Sequence, residues 1–327
     1  MPGLDFKADV ALTFEKARVA SNNRIKHLGR HNRVDEDAEN LLAIVGHVEK
    51  ILDYMLKKEL LEHPASEWFL RLNLPLQPIA KVIGRIEAFG RWYPAENADL
   101  LPVKREPVVL EDGKSYIWVE GIERLPTRSA LHKLAGYAPG FDRPQKGMKR
   151  PYDGELKTMC YRVWKYGMLF NRTRYYELYR EYKDNLIHRY ESAGIRVLPT
   201  PSGRFCLSCM EDKPVPSTTS ICPDCGQRLE KKEEPEGVRW LGHVDNMAVR
   251  WTIKLFLSHL WEVWRAKLNL PVRAPYAEEY LGHTHIISPW EVCDFDEPRT
   301  VKLQLPRNAD KFLKHVLEAK NEASGGT

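Results

Sequence analysis

The sequence predicts a mainly α chain, interrupted by a small β-hairpin and by a module built on four cysteines. Three observations carry this expectation. Apolar residues recur at three- and four-residue spacing along most of the 327 residues, the period of helices with one buried face. An Asp-Gly turn, Asp112-Gly113, lies between two short β-rich runs. Four of the six cysteines fall in two close pairs, a metal-ligand spacing rather than a disulfide framework.

Taken in order, Leu12 to Leu28 reads as a rather polar helix, followed by the charged stretch His31-Asn32-Arg33-Val34-Asp35. Leu41, Val45, Val48, Leu52 and Met55 then alternate at spacings of four and three, the seam of a coiled coil or of a helical hairpin. A hairpin within the chain and a homodimer through residues 41–55 give the same pattern. His63-Pro64 stops this helix, and Ser66 is placed to cap a short one carrying Trp68, Phe69, Leu70 and Leu72. After Asn73-Leu74-Pro75 a second apolar helix runs through Ile79, Ala80, Val82, Ile83 and Ile86. Such a pair forms a hairpin whose second helix offers backbone N–H groups to a phosphate.

Val108-Val109-Leu110 and Tyr116-Ile117-Trp118-Val119 flank the Asp-Gly turn and predict the β-hairpin, an insertion into a helical chain. Thr127 caps the next helix, with Ala130, Leu131 and Leu134 on its buried side and Gly136 at its end. Residues 141–153 are polar, basic and broken by Pro144, Gly147 and Pro151, so they read as a loop. A long helix follows from about Asp153 to Tyr190, with Gly167 or Asn171 as the place for a kink. The last major helix begins at Asp245, carries Ile253, Phe256, Leu257, Leu260, Val263 and Trp264, and ends before Pro271.

Charge is concentrated rather than spread. The whole chain carries +5, but residues 141–190 hold twelve basic and six acidic residues, a net of +6, with eight of the fourteen tyrosines. A basic segment laced with aromatics suits a polyanion whose bases or sugars are also stacked upon. A solvated helical face over core tyrosines has the same composition. Nine tryptophans and 43% hydrophobic residues exclude a mostly disordered chain. No apolar run reaches membrane-spanning length, and the N-terminal residues have neither a basic leader nor an apolar stretch, so the expectation is a cytoplasmic protein.

The sharpest chemical signal is Cys206-Leu207-Ser208-Cys209, twelve intervening residues, then Cys222-Pro223-Asp224-Cys225-Gly226. Four thiolates in two knuckles match a closed tetrahedral site for structural Zn²⁺, with no position left open for catalysis. The loop between the pairs has no hydrophobic core of its own, so the metal would supply its fold. Arg204 and Arg228 are its candidate contacts to nucleic acid; bracing of the flanking helices is the alternative. His283, His285, Cys293 and Asp294 lack a regular ligand spacing and read as core or surface residues. Cys160, alone on a helix, reads as packed rather than reactive.

Catalytic signals are thin. Glu155, Glu177, Glu181 and Asp184 alternate with Lys157, Arg174, Arg180 and Lys183, as surface ion pairs do. Asp5, Asp9 and Glu15 are the remaining carboxylates to weigh for a metal nuclease, and nothing completes the set. There is no phosphate-binding glycine loop and no nucleophile elbow.

In its order of elements the chain resembles the C-terminal half of the transposases of the IS110/IS116/IS902 family. The residues that carry the likeness are His63-Pro64-Ala65-Ser66-Glu67-Trp68, Pro78-Ile79-Ala80-Lys81-Val82-Ile83-Gly84-Arg85-Ile86 and Leu125-Pro126-Thr127 through Leu134-Ala135-Gly136-Tyr137-Ala138-Pro139-Gly140. The basic stretch Lys146-Gly147-Met148-Lys149-Arg150-Pro151-Tyr152 and Gly154-Glu155-Leu156-Lys157-Thr158 continue it. The chain is also similar to shorter transposase-like proteins with a cysteine-knuckle insertion. There the match is Lys254, Phe256-Leu257, His259-Leu260-Trp261, Trp264-Arg265, Leu270-Pro271, Pro275-Tyr276, Gly282-His283 and Ile287-Ser288-Pro289-Trp290-Glu291, so the likeness spans about residues 38–292.

The departures shape what the resemblance implies. The family's N-terminal ribonuclease-H-like domain, with four acidic residues, does not fit within sixty helical residues. The family's serine nucleophile has no counterpart between Pro139 and Thr158; Ser129 lies earlier. Asn73-Leu74-Pro75 stands where the family places hairpin glycines. The resemblance therefore implies a nucleic-acid-binding scaffold of a mobile element or DNA-recombination system, without autonomous catalysis. Its alternatives are a recombinase needing a partner's catalytic domain, and a structural or complex-assembly protein. Its contacts would be Lys146, Lys149, Arg150, Tyr152, Lys157, Tyr161, Arg162, Lys165, Arg172 and Arg174, with DNA ahead of RNA as partner, no membrane, and a nucleoid association in a prokaryotic cell. The expected organisation is a helical hairpin or coiled coil over 1–62, and a helix-hairpin-helix-like domain over 63–193 with a β-hairpin insertion at 107–119. A zinc-knuckle, zinc-ribbon-like module at 194–239 and a C-terminal helical segment at 240–327 complete it.

Overall fold

The computed structural model describes residues 4–31, 33–96, 106–141, 147, 149–200, 204–213, 215, 219–229, 234–274, 286–304 and 306. The protein is predominantly helical, with small β-sheets and a four-cysteine cluster consistent with a zinc-ribbon-like module. The chain divides into two compact units, one of Met1–Thr173 with Leu257–Thr327, the other of Arg174–Phe256.

In the first unit, α1 (Leu4–Gly29) and α2 (Glu36–Glu62) pack as a hairpin. Asp35 caps α2 by accepting the Ala38 N–H at 3.0 Å. Val45 and Leu52 of the expected seam are buried, whereas Leu41 is 47% exposed. The next helix, α3 (Ser66–Arg71), starts without a side-chain cap. Ser66 is its first residue instead: Ala65 holds the cap position, its carbonyl accepts the Trp68 N–H (3.1 Å) and the Phe69 N–H (3.2 Å), and the Ser66 N–H donates to the His63 carbonyl (2.8 Å). The apolar helix α4 (Leu76–Glu87) buries Ile79, Val82, Ile83 and Ile86 completely, each contributing about 1.5–3 kcal/mol of transfer free energy.

A three-stranded antiparallel sheet follows, in the order β1 (Arg91–Pro94), β3 (Ser115–Val119), β2 (Val108–Val109). Gly113, at φ +75°, makes the turn between β2 and β3 as the Asp-Gly signal predicts. The first strand was not legible; its pairing sets Trp92 opposite Trp118. Helix α5 (Arg128–Leu134) is capped by Thr127, whose hydroxyl accepts the Ala130 N–H at 3.1 Å. It stops at Gly136, where φ is +71° and an added Cβ would meet the Tyr152 ring at 2.7 Å.

The long helix expected from Asp153 to Tyr190 is three pieces and a bulge. Asp153 caps α6 (Gly154–Val163), accepting the N–H groups of Glu155 and Leu156 at 2.9 Å each. A π turn, Trp164–Met168, leads into the short α7 (Leu169–Asn171), and Arg172 in the left-handed region (φ 51°) ends the run. Gly167 lies in the π turn because an added Cβ would meet Leu74 at 2.8 Å and Pro75 at 3.0 Å: the widened turn lies against the α3–α4 connection.

The second unit begins with α8 (Arg174–Ser192). It continues through β4 (Arg196–Leu198), the hairpin β5 (Arg204–Cys206) and β6 (Glu211–Lys213), and β7 (Val238–Trp240), which pairs in parallel with β4. The first part of α9 (Leu241–Lys267) completes this unit, and the remainder belongs to the first. Tyr182 stacks on Trp251 with ring centroids 4.4 Å apart, and Phe205, Val238 and Trp240 form a small core. Among the described residues no helix is long and apolar enough to cross a membrane.

Candidate functional sites: a four-cysteine metal centre and a basic, aromatic helix face

The cysteine knuckles are built by local backbone geometry. Cys206 ends β5, and Met210 at φ 54° turns the chain into β6 past Cys209. The second knuckle closes through the Cys222 N–H to the Gln227 carbonyl (2.8 Å) and the Gly226 N–H to the Cys222 carbonyl (3.0 Å), with Gly226 at φ +70°. All four sulfurs lie within 4.8 Å of one another, with Cys206–Cys225 at 3.4 Å and Cys209–Cys222 at 4.0 Å. A disulfide would need about 2.05 Å. Four thiolates about 2.3 Å from one tetrahedral ion would stand about 3.8 Å apart, so the residues present fit a metal ion.

Among the described residues, the apolar packing of this cluster besides the sulfurs is Leu229 and the half-buried Val215, so a bound metal would add to what holds the loop. The Cys209 N–H donates to the Cys206 sulfur, and with the neighbouring thiols it draws Cys206 down to about 7. Lys213, buried at the end of β6, pairs with Glu211 (2.7 Å) and Asp224 (2.5 Å), tying the first knuckle's hairpin to the second knuckle.

The basic residues of the first unit divide by what surrounds them. Lys149 and Arg150 are exposed in the approach to α6. Lys157 lies over Tyr152 (4.4 Å to the ring centroid) and Tyr137 (5.7 Å), and the Tyr137 hydroxyl donates to the Lys157 carbonyl (3.2 Å). Arg162 is taken up by Glu15 of α1, which also holds Lys81 of α4 at 2.8 Å. Lys165 is exposed, with its ammonium 5.7 Å from the Tyr166 ring, and Arg172 is exposed at the left-handed break. In the second unit Arg174 pairs with Glu177 (2.6 Å) and Glu181 (3.7 Å). Lys146, His283 and His285 lie outside the described residues.

The aromatic part of this face is larger than the sequence reading supposed. Tyr161 is 46% exposed, but so are Tyr166 (55%) and Phe170 (80%), which sequence reasoning missed. The signal was the Gly167 break: a π turn, closed by the Leu169 N–H to the Trp164 carbonyl, shifts which residues of the helix share a side. α6 buries Leu156, Met159, Cys160 and Val163, so Cys160 is packed, and burial pushes its thiol far up.

Of the carboxylates weighed for catalysis, Asp9, Glu15 and Glu155 are bound up in one ion-pair network. Asp9 pairs with Arg85 at 2.7 Å, and Arg85 reaches Asp153 at 2.5 Å and Glu155 at 3.4 Å. With Glu15, Lys81 and Arg162 this network joins α1, α4 and α6. Ser129 is an exposed residue in the first turn of α5. At the α3–α4 turn the Asn73 N–H donates to Asp294 at 2.7 Å and its carbonyl accepts from Asn171 at 2.6 Å. An internal carboxylate therefore takes the Asn73 N–H, three residues before α4 begins. Comparison with protein-family models, with characterised proteins and with solved structures finds no match for this chain.

Proposed function

We propose that the chain is a nucleic-acid-binding protein related to the IS110/IS116/IS902 transposases, serving a mobile element or DNA recombination without strand-cleaving chemistry of its own. DNA is the leading partner and RNA the second, which places it in the cytoplasm or on the nucleoid. In this reading a Zn²⁺ ion bound by Cys206, Cys209, Cys222 and Cys225 is structural, since four protein thiolates leave no position for a substrate. The observation that carries the reading is the exposure of Tyr161, Tyr166 and Phe170 within ten residues of one another, with Lys165 beside Tyr166 and Lys149, Arg150 and Arg172 also exposed. Large aromatic faces left in water beside cations suit unstacked bases on a sugar-phosphate chain. Tyr152 and Lys157 extend this surface, as does Lys146 in sequence. Arg162 and Arg174 contribute less, because each already has a carboxylate partner. A contact between copies through residues 41–55 would use the exposed Leu41 and Ile44.

The test is fluorescence anisotropy of the full chain with a labelled single strand and its duplex across a salt series. Tyr166→Ala with Phe170→Ala is expected to weaken single-strand binding by about 1–3 kcal/mol for each base that loses its stacking partner. Lys149→Ala, Arg150→Ala and Lys165→Ala together are expected to weaken binding across sequences and flatten its salt dependence. Unchanged affinity and salt slope in both variants would remove this face from the account.

A further inference from the structure

A cavity of about 570 Å³ opens in the first unit where the ends of α2, α4 and α9 meet the β1–β3 sheet. Its volume lies within the range of small-molecule sites. Five glutamates line it, Glu59, Glu62, Glu87, Glu106 and Glu120, and Lys7 pairs with Glu59. Three tryptophans, Trp92, Trp118 and Trp264, supply much of the remaining wall. Carboxylates beside indole faces favour a cation twice over, by charge and by the ring quadrupole.

The kind of cation follows from the spread of these groups. Among the described residues only the four cysteines bring three or more donor atoms close enough to share one metal ion. The cavity's carboxylates do not converge on a point charge, so they call for charges set apart along a molecule. Leu4, Pro64, Val108 and Leu268 add apolar wall for the carbon chain between those charges. We propose that this cavity binds a linear polyamine, its ammonium groups held by the glutamates and its methylene stem laid against the tryptophans.

Glu87 is a second, independent indication. Only 6% of it is exposed, and its Oε2 is buried with no hydrogen-bond partner. Burial, with Glu120 and Asp5 nearby, pushes its carboxyl up to about 8, although the Asp5 N–H donates to it. An ammonium beside it would supply the missing donor and favour its charged form. Burial holds His63, in the same wall, down to about 3, so the imidazole adds no competing positive charge.

The experiment is isothermal titration calorimetry of the full chain with spermidine at fixed ionic strength, with MgCl₂ as competitor. Glu62→Gln with Glu106→Gln removes two charges from the exposed rim, Trp92→Ala removes a ring, and Glu177→Gln with Glu181→Gln on α8 is the remote control. One saturable site is expected, weakened about tenfold or more by the rim variant and by Trp92→Ala, and unmoved by the control. Thermal transitions near that of the parent chain would show that the variants fold. Absence of saturable binding, equal weakening by the remote control, or displacement by Mg²⁺ at matched charge concentration would each overturn the proposal.

Discussion

Glu15→Gln is the most informative single change in this chain. Glu15 lies on α1, 16% exposed at its side chain, and accepts from Lys81 of α4 and Arg162 of α6. Lys81 is only 5% exposed, so removing the carboxylate charge leaves an ammonium in the core with no counterion. Breaking a buried pair from one side costs about 3–5 kcal/mol, whereas the half-exposed Arg162 contact adds well under about 1 kcal/mol. The first unit is therefore expected to lose about 3–5 kcal/mol in a urea titration followed by tryptophan fluorescence. Replacing both partners, as Glu15→Leu with Lys81→Met, is expected to recover most of that loss, because neither charge then remains buried. The acid limb should respond in the same sense. Burial alone would raise the Glu15 carboxyl, but the hydrogen bonds and charges of Lys81 and Arg162 outweigh it and hold it below the usual range. Its contribution is thus complete above the unfolded value near about 4.3 and is lost as pH falls through the lower folded value. A Glu15→Gln variant within about 1 kcal/mol of the parent at neutral pH would refute this reasoning.

Two further outcomes follow from local geometry. Chelation of the metal, or Cys222→Ser, is expected to open residues 204–229 to protease while the first unit's thermal transition stays put. Metal analysis of the purified chain should give one ion per chain, and protection that survives chelation would show that the knuckles fold without it. Thr127→Ala is expected to cost about 1 kcal/mol through loss of the α5 cap, and Thr127→Ser to cost little; equal losses in a denaturant titration would place the effect in packing instead.

What could be read in the sequence was local. The Asp-Gly turn, the Thr127 cap, the Gly136 stop and the cysteine spacing each depend on residues within a few positions of one another, and each stands in the structure. Ser66 misled because the helix begins one residue earlier: Ala65 stands at the cap position, and its carbonyl accepts the Trp68 and Phe69 N–H groups that the Ser66 hydroxyl was expected to cap. β1 was missed because Trp92-Tyr93-Pro94 carries no alternation, and only pairing with β3 makes it a strand. Glu15 and Arg162 are 147 positions apart, so no spacing rule could join them. The π turn has a comparable origin: Gly167 marked a break, but the packing of Leu74 and Pro75 decided its form.

Charge compensation changes what the basic segment can do. Eight basic residues were candidates for phosphate contact: Lys146, Lys149, Arg150, Lys157, Arg162, Lys165, Arg172 and Arg174. Were all eight to displace counterions from a single strand, the logarithm of affinity would fall with slope about −6 against that of salt. Arg162 and Arg174 begin with carboxylate partners, so approaching a phosphate gains them less, and the slope should fall short of that value. On the proposed reading, the composition of residues 141–190 overstates the electrostatic part of binding, and the exposed aromatics Tyr161, Tyr166 and Phe170 would carry a larger share of the affinity. Stacking is nearly indifferent to salt, so the proposed interface should keep measurable single-strand affinity at ionic strengths that release duplex. That ordering separates this face from a merely basic one, which would release both together.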